Sequence, residues 1–165
     1  MTRVGIWGRD RGVFEAVRNA LGDRGPRVKL LPGAHPADFA EGKLDLLCVT
    51  PEATGWAGLS AVNCRVLLLP GTAGPLARGL RCVSAVSYGT SPRDTLTFSS
   101  LEGDQICLAL QREIVDVDGG VVEQQEFVLP FPPGLPPAGY LAAAGVLLLL
   151  GVEPGKLADG TKEAK

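Results

Sequence analysis

The chain has 165 residues, of which 45% are hydrophobic and 21% are charged, and its formal net charge is −2. This size and composition predict one globular domain with a buried core, over residues 1–158, followed by a polar tail at 159–165. The weak negative charge and the scattered basic residues argue against a surface for nucleic acid or for an anionic membrane.

The first predicted elements are a buried strand at residues 3–8 (RVGIWG), a tight loop at 8–12 (GRDRG) and an amphipathic helix at 13–21. Such a loop aims free backbone N–H groups and the positive end of a helix dipole at one point. We therefore take Gly8, Arg9, Arg11 and Gly12 as a candidate site for a phosphate, a carboxylate or a nucleotide. The alternative is a plain strand-to-helix turn with solvated arginines.

The loop lacks the residues that phosphate transfer requires. In nucleotide triphosphatases the second glycine is followed by Lys and then by Ser or Thr. Here Gly12 is followed by Val13 and Phe14, and the two glycines are one residue too close. The sequence therefore predicts a degenerate phosphate-binding loop that does not cleave a triphosphate.

Four further apolar runs, at residues 28–31, 44–50, 65–70 and 82–88, read as strands. Their nearly continuous hydrophobicity is typical of parallel strands covered on both faces. The connections at 51–64 and 71–81 leave room for one short helix each. This order predicts an α/β fold, in which residues 1–89 form a mostly parallel, Rossmann-like or P-loop-like sheet with flanking helices and right-handed crossovers.

The pattern changes at residue 90. Three strand-like runs at 94–101, 105–117 and 121–129 are joined by short links, of which Asp-Gly-Gly at 118–120 is a strong hairpin signal. They predict an antiparallel β-meander within residues 90–130. A proline-rich connector follows, and then a closing helix at 136–151 with Gly151 as its stop.

A polar turn, YGTSPRD, lies at the predicted junction between the two parts of the sheet. Ligands collect at the carboxyl ends of strands in open α/β sheets, so Thr90, Ser91, Arg93 and Asp94 form a second candidate ligand-binding group. The alternative is a proline-led turn in which Asp94 makes a local cap.

The predicted hairpin at 105–130 carries many polar residues between 111 and 126. We interpret them first as a solvated face, second as a contact in a homodimer, and last as acid–base catalysts.

The residues that bind metals are few and scattered. Cys48, Cys64, Cys82 and Cys107 form no C-x-x-C pair, and His35 is the only histidine. We therefore predict no metal site, no cofactor and no catalytic residue. The N-terminus enters a strand at once, and the apolar run at 140–152 is too short to cross a bilayer. Free thiols in apolar runs then favour a cytoplasmic location without membrane contact.

The stretch VSYGTSPRDTLTFSSLEGDQICLAL, followed by the hairpin, the proline-rich link and GYLAAAGVLLLLGVEPGKL, resembles the second half of the Mur ligase central domain. The resemblance covers residues 64–157. Members of this family are the ATP-dependent amide ligases of peptidoglycan synthesis. The resemblance implies an α/β fold and a bacterial protein. The loop GRDRGVF stands where this family carries its phosphate-binding loop. The family's lysine, its metal-binding hydroxyl and its metal ligands have no counterparts, so ligase activity is not expected.

Three functional hypotheses follow. The first is a non-catalytic, Mur-ligase-like protein of the bacterial cytoplasm that binds a small anion, a nucleotide-like ligand or a protein partner. The second is an enzyme for a nucleotide or an amino acid, with Arg9, Arg11, Arg93 and Asp94 around the strand ends. The third is an assembly protein that oligomerises through the hairpin at 105–130.

Overall fold

The computed structural model describes residues 1–22, 27–40, 42–54, 62–74, 80–131 and 134–157. The strands in chain order are β1 (Thr2–Trp7), β2 (Val28–Gly33), β3 (Lys43–Val49), β4 (Val62–Pro70), β5 (Leu80–Tyr88), β6 (Leu96–Glu102), β7 (Gln105–Leu110), β8 (Ile114–Val115), β9 (Val121–Val122) and β10 (Gln125–Pro130). The helices are α1 (Gly12–Leu21) and α2 (Pro137–Leu149), and a short 3-10 helix covers Pro36–Phe39.

One sheet runs through both predicted parts of the chain. Its strand order is β10-β7-β6-β5-β4-β3-β1-β2, and β2, β1, β3, β4 and β5 are parallel. From β1 the chain first moves outward to β2 and then crosses back to β3 on the other side of β1. The parallel part therefore has the doubly wound order 2-1-3-4-5. The continuous apolar runs predicted that its strands are parallel, and this is confirmed.

The antiparallel part extends the sheet beyond the end of β5. β6 continues in the same direction as β5 and pairs with it only between Tyr88 and Leu96. β6, β7 and β10 then pair antiparallel as the predicted three-stranded meander. The segment 89–95 therefore connects the parallel part of the sheet to its antiparallel part.

Two of the three strands predicted for the meander are divided. The run at 105–117 was expected as one strand, but β7 ends at Leu110 and the separate β8 covers only Ile114–Val115. The run at 121–129 was also expected as one strand, but β9 ends at Val122 and β10 begins at Gln125. The Asp-Gly-Gly turn joins β8 to β9 in a small sheet of their own, where Asp116 N–H donates to the Gly120 carbonyl at 2.8 Å. These two predictions were wrong because apolar periodicity does not register a break of two or three residues in strand pairing.

α2 is the centre of the larger hydrophobic core. Eleven of its residues are buried, which is what an apolar helix without a polar face requires. Small residues let it approach the sheet, since a Cβ on Gly145 would lie 2.8 Å from Leu68 Cδ2. α1 packs beside α2 on the same face through Val13, Val17 and Leu21. Within the described ranges, no helix has both the length and the hydrophobicity needed to cross a membrane.

The opposite face holds a smaller core. Trp7, Phe39, Leu44 and Leu67 are buried there, with Phe39 supplied by the 3-10 helix. Two helices predicted within 51–64 and 71–81 fall mainly on residues 55–61 and 75–79, outside the described residues. The two cores cover β1, β3 and β4 from both faces. The expectation of a covered strand at 82–88 was wrong for the first part of β5, where Arg81 to Ala85 are exposed.

Candidate functional site

The carboxyl ends of the parallel strands bring together both residue groups that the sequence singled out. The loop of residues 8–12 follows β1, and the turn of residues 89–94 follows β5. In a sheet of order 2-1-3-4-5, the direction of winding reverses between β1 and β3. The crevice above that reversal is the usual ligand position in this architecture.

The start of the first loop is packed against the turn that follows β3. Gly8 N–H donates to the Gly33 carbonyl at 2.9 Å, and Thr50 N–H donates to the Trp7 carbonyl at 3.0 Å. A Cβ on Gly8 would lie 2.0 Å from Thr50 Oγ1 and 2.7 Å from Glu52 Oε1. Gly8 is therefore required by close packing against this chain's own side chains.

Two carboxylates of the chain itself accept hydrogen bonds from the backbone amides of this loop. Gly12 N–H donates to Asp10 Oδ1 at 2.7 Å, and Asp10 N–H donates to Glu52 Oε1 at 3.2 Å. The Thr50 hydroxyl, which donates to the Trp7 carbonyl at 2.8 Å, also contacts the Glu52 carboxylate. Two acidic side chains thus stand where an external anion would bind.

The arginines of the loop lie outside this arrangement. The Arg11 guanidinium stacks 4.8 Å from the Phe14 ring centroid and lies 3.9 Å from Glu15, at the surface of α1. Arg9 is exposed. A small, mostly apolar cavity of about 190 Å³ lies beside the loop, and neither arginine lines it. Its lining residues are Asp10, Gly12, Val13, Pro51, Glu52, Leu135, Pro136 and Gly139.

A larger cavity of about 470 Å³ opens beside the ends of β3, β4 and β5 and the start of α2. It is lined by Pro51, Pro70, Gly71, Thr72, Tyr88, Gly89, Thr90, Ser91, Arg93, Asp94 and Ala138. All four predicted residues of the YGTSPRD turn are in this lining. The cavity therefore has an arginine, several hydroxyls and the first turn of a helix around one space.

Asp94 organises the turn from beneath. Its side chain is buried, and Oδ2 accepts a hydrogen bond from Ser91 N–H at 3.0 Å. Gly71 lies against it so closely that a Cβ there would be 2.1 Å from Asp94 Oδ1. Gln111 Nε2 donates to the Asp94 carbonyl at 2.7 Å and ties the turn to the meander. Asp94 thus makes the local cap, while Thr90, Ser91 and Arg93 remain exposed.

Tyr88 forms the floor of the larger cavity. Its hydroxyl donates to the Val49 carbonyl at 2.6 Å and links β5 to β3 across β4. Burial raises the pKa of Tyr88 above its usual range, and the neighbouring Cys48 and Glu52 raise it further. Tyr88 therefore stays protonated at neutral pH and acts as a fixed hydrogen-bond donor.

The two candidate groups thus contribute to neighbouring cavities rather than to one site, and Pro51 lines both. Sequence reasoning missed Thr50, Glu52, Gly71 and Thr72. A signal was present, because TPE and PGT are polar or turn-forming segments directly after buried strands.

No metal centre is found in the part of the chain that the structure describes, where no three His, Cys, Asp or Glu residues are grouped to hold an ion. His35 caps the 3-10 helix instead. Its Nδ1 accepts from Ala37 N–H at 3.1 Å, and Asp38 accepts from the backbone N–H of His35 at 3.2 Å.

The doubly wound parallel sheet, its antiparallel extension and the closing helix define an α/β fold of the Mur ligase central-domain type. A crystal structure of MurF from Acinetobacter baumannii aligns with the whole chain at a TM-score of 0.62 and 11% identity. A structure of UDP-N-acetylmuramoylalanyl-D-glutamyl-2,6-diaminopimelate--D-alanyl-D-alanyl ligase from the same organism aligns at a TM-score of 0.55 and 12% identity.

In both cases the chain spans 46% of the solved protein. No family model matches the sequence, and a search of curated protein sequences found no match. The resemblance inferred from the sequence is thereby confirmed at the level of the fold.

Proposed function

We propose that this is a non-catalytic, Mur-ligase-like protein of the bacterial cytoplasm that binds a small anionic or nucleotide-like ligand in the larger cavity at the strand ends. The observation that carries the proposal is the convergence of Thr90, Ser91 and Arg93 on one open space of about 470 Å³. That volume lies within the range of small-molecule sites, which is about 300–1,000 Å³.

The chemistry of the lining favours an anion. The Arg93 guanidinium supplies charge and a planar fork of donors, and exposed hydroxyls at Thr90 and Ser91 supply further donors. α2 begins at Pro137, and Ala138 in its first turn lines the cavity. The first-turn N–H groups of a helix have no intrahelical acceptor and carry a partial positive charge.

The loop at 8–12 plays a structural part in this proposal. Its amides bind Asp10 and Glu52, so a phosphate there would have to displace two carboxylates and would meet their negative charge. We therefore assign the ligand to the larger cavity, beside Thr90, Ser91 and Arg93. The loop at 8–12 lies next to this cavity and has a structural role.

The residues of the loop at 8–12 disfavour catalysis. This loop stands where the Mur ligase family carries its phosphate-binding loop. Phosphoryl transfer depends on positioning and on neutralisation of charge around the phosphates. At the corresponding loop this chain has Asp10 and Val13, and the loop's two arginines lie outside the small cavity beside it. Acidic and apolar groups there disfavour a triphosphate.

A binding screen tests the proposal. Inorganic phosphate, ATP, GDP and NAD are added separately while thermal unfolding is followed. A probe at about 100 times its dissociation constant adds about 2.7 kcal/mol to the free energy of unfolding. We expect at least one probe to raise the unfolding temperature, and Arg93→Ala to abolish that shift.

Arg81→Ala is the matched control, because Arg81 is an exposed arginine on β5 away from the cavity. It should leave the shift intact, as should Arg11→Ala. A ligand shift lost in Arg11→Ala and kept in Arg93→Ala would move the site to the first loop. Ligand turnover by the purified chain would contradict the non-catalytic part of the proposal.

A second candidate function, assembly into a homodimer, has an observation of its own. β10 is an edge strand of the large sheet, and Val128 on it is 67% exposed. Cys107 on β7 is paired with Val128 and is half-buried, so the apolar surface continues inward from the edge. An exposed apolar edge strand is a template for pairing with a second copy.

Light scattering over a range of concentrations tests assembly. A dimer that dissociates in Val128→Lys but persists in Val83→Lys would assign the contact to β10. Val83 is the matched residue because it is also an exposed valine in a strand of the same sheet, at β5. A monomer at all concentrations would contradict assembly and leave the ligand proposal intact.

A further inference from the structure

Among the residues that the structure describes, β5 is paired along only one of its sides for most of its length. β4 pairs with it from Leu80 to Tyr88, whereas β6 contacts it in the ladder only at Tyr88. The residues from Arg81 to Ala85 are exposed, and Val83 is 78% exposed. A thiol on this stretch is therefore accessible to small molecules from solution.

Two of the four cysteines meet at this open strand. Cys64 on β4 and Cys82 on β5 are directly paired in the parallel register, so their side chains leave the sheet on the same face. Neighbouring strands lie about 4.7–4.9 Å apart, which falls inside the Cα separation of about 4.4–6.8 Å that disulfides require. The backbone therefore already holds the pair at a distance that a disulfide can bridge.

The two thiols differ in their surroundings. Cys64 is 2% exposed in the smaller core, and Cys82 is exposed at the sheet surface. Burial, together with a smaller effect of the adjacent Cys82, raises the pKa of Cys64 from 9.0 to about 12. Cys82 is thus the thiol that an external reagent reaches first, and Cys64 is the protected thiol behind it.

The remaining cysteines have no such neighbour. Cys48 is paired with Ile6 and Leu68, and Cys107 is paired with Ser100 and Val128. They provide internal controls, one buried and one half-buried.

We propose that Cys64 and Cys82 form a redox-active dithiol that closes to a disulfide by exchange with a low-molecular-weight disulfide. The Cys82 thiolate attacks one sulfur of the reagent, its S–S bond breaks, and one reagent thiol leaves. Cys64 then gives up its proton, and its sulfur attacks Cys82 Sγ and expels the second reagent thiol. Two protein thiols are oxidised to one disulfide, and the reagent disulfide is reduced to two thiols.

Incubation with oxidised glutathione, followed by intact-mass measurement and peptide mapping, tests the proposal. We expect the wild-type chain to lose two hydrogens and to retain no glutathione. Cleavage after Lys and Arg places Cys64 in the peptide 44–65 and Cys82 in the peptide 82–93, and these two should be linked. Because the first peptide also contains Cys48, fragmentation must assign the bond to Cys64.

Two variants separate the steps. In Cys64→Ala the exposed Cys82 should retain a stable glutathione adduct, because no second thiol can displace it. In Cys82→Ser, which alters only an exposed position, neither the internal bond nor a fast adduct should form. A lasting adduct on Cys82 in the wild-type chain, a bond through Cys48 or Cys107, or a fully reduced chain after incubation would overturn the proposal.

Discussion

The loop at 8–12 and the turn at 89–94 are two regions built from the same parts, with different outcomes. Each follows a parallel strand that ends in a buried aromatic residue, contains a close-packed glycine and carries arginine and aspartate. In the first, Asp10 and Glu52 accept hydrogen bonds from the loop amides, and the arginines lie outside the adjoining cavity. In the second, Asp94 is buried under the turn, and Arg93 lines the larger cavity.

The position of the acidic side chain therefore decides whether a turn at the end of a strand can bind an anion. A carboxylate on the amides satisfies them and repels an incoming anion. A carboxylate beneath the turn fixes the backbone and leaves the outer donors available.

Both regions should be intolerant of a single added methyl group. Gly8→Ala places a Cβ 2.0 Å from Thr50 Oγ1, and Gly71→Ala places one 2.1 Å from Asp94 Oδ1. We expect each to lower the free energy of unfolding by about 2–3 kcal/mol, because the overlap must be relieved by shifts in the packed strand ends. Urea denaturation measures it.

Gly74→Ala is the matched control, since nothing lies within 4 Å of a Cβ there. It should change stability by less than about 0.5 kcal/mol. A neutral Gly8→Ala would mean that the first loop is not closed by Thr50 and Glu52.

Removal of Asp94 should lower the free energy of unfolding more than removal of Asp10. Asp94→Ala removes a buried carboxylate and leaves Ser91 N–H without its partner, and it should cost about 1.5–3 kcal/mol. Asp10→Ala uncovers Gly12 N–H at an exposed loop, where water replaces the carboxylate, and should cost about 0.5–1 kcal/mol. The same denaturation experiment measures both, and equal losses would contradict the difference in burial on which the comparison rests.

Alkaline pH tests the packing of α2, whose first turn lines the larger cavity through Ala138. Tyr140 on α2 donates to the Pro130 carbonyl at 2.9 Å, and burial raises its pKa from 10.0 to about 12. Because the folded state holds this proton more tightly, its contribution is complete below pH 10 and is lost as the pH rises towards 12.

Stability at pH 9, 10 and 11 should therefore fall less in Tyr140→Phe than in the wild-type chain. The difference should approach about 1.4 kcal/mol per pH unit above the unfolded pKa. Tyr88 and the buried thiols contribute a background loss in both proteins, which the comparison of the two slopes removes. Equal slopes would contradict the burial of the Tyr140 hydroxyl.

The smallest effect is expected at Arg11. Its contact with Glu15 is 3.9 Å long, and both side chains are largely solvated, at 59% and 39% exposed. Arg11→Ala should change the free energy of unfolding by less than about 0.5 kcal/mol. A loss above about 1 kcal/mol would show that the stacking on Phe14 matters more than its exposed position suggests.

The fold class and the order of the elements could be predicted from the amino-acid sequence. Continuous apolar runs identified the parallel strands, short turn signals identified the meander, and the uniformly apolar segment after Pro136 identified the buried helix. These features could be predicted because each depends on local periodicity and on glycine and proline. The break between β7 and β8 could not, because pairing depends on a partner strand.

The contacts that the candidate residues make depend on how distant segments of the chain pack together. Glu52 lies 42 residues after Asp10 and reaches its amide only because β3 pairs with β1. Cys64 and Cys82 likewise meet only through the register of β4 with β5. Local sequence patterns predict elements and turns, but which distant side chain satisfies a given amide is set by the strand order, the register and the packing of the two cores.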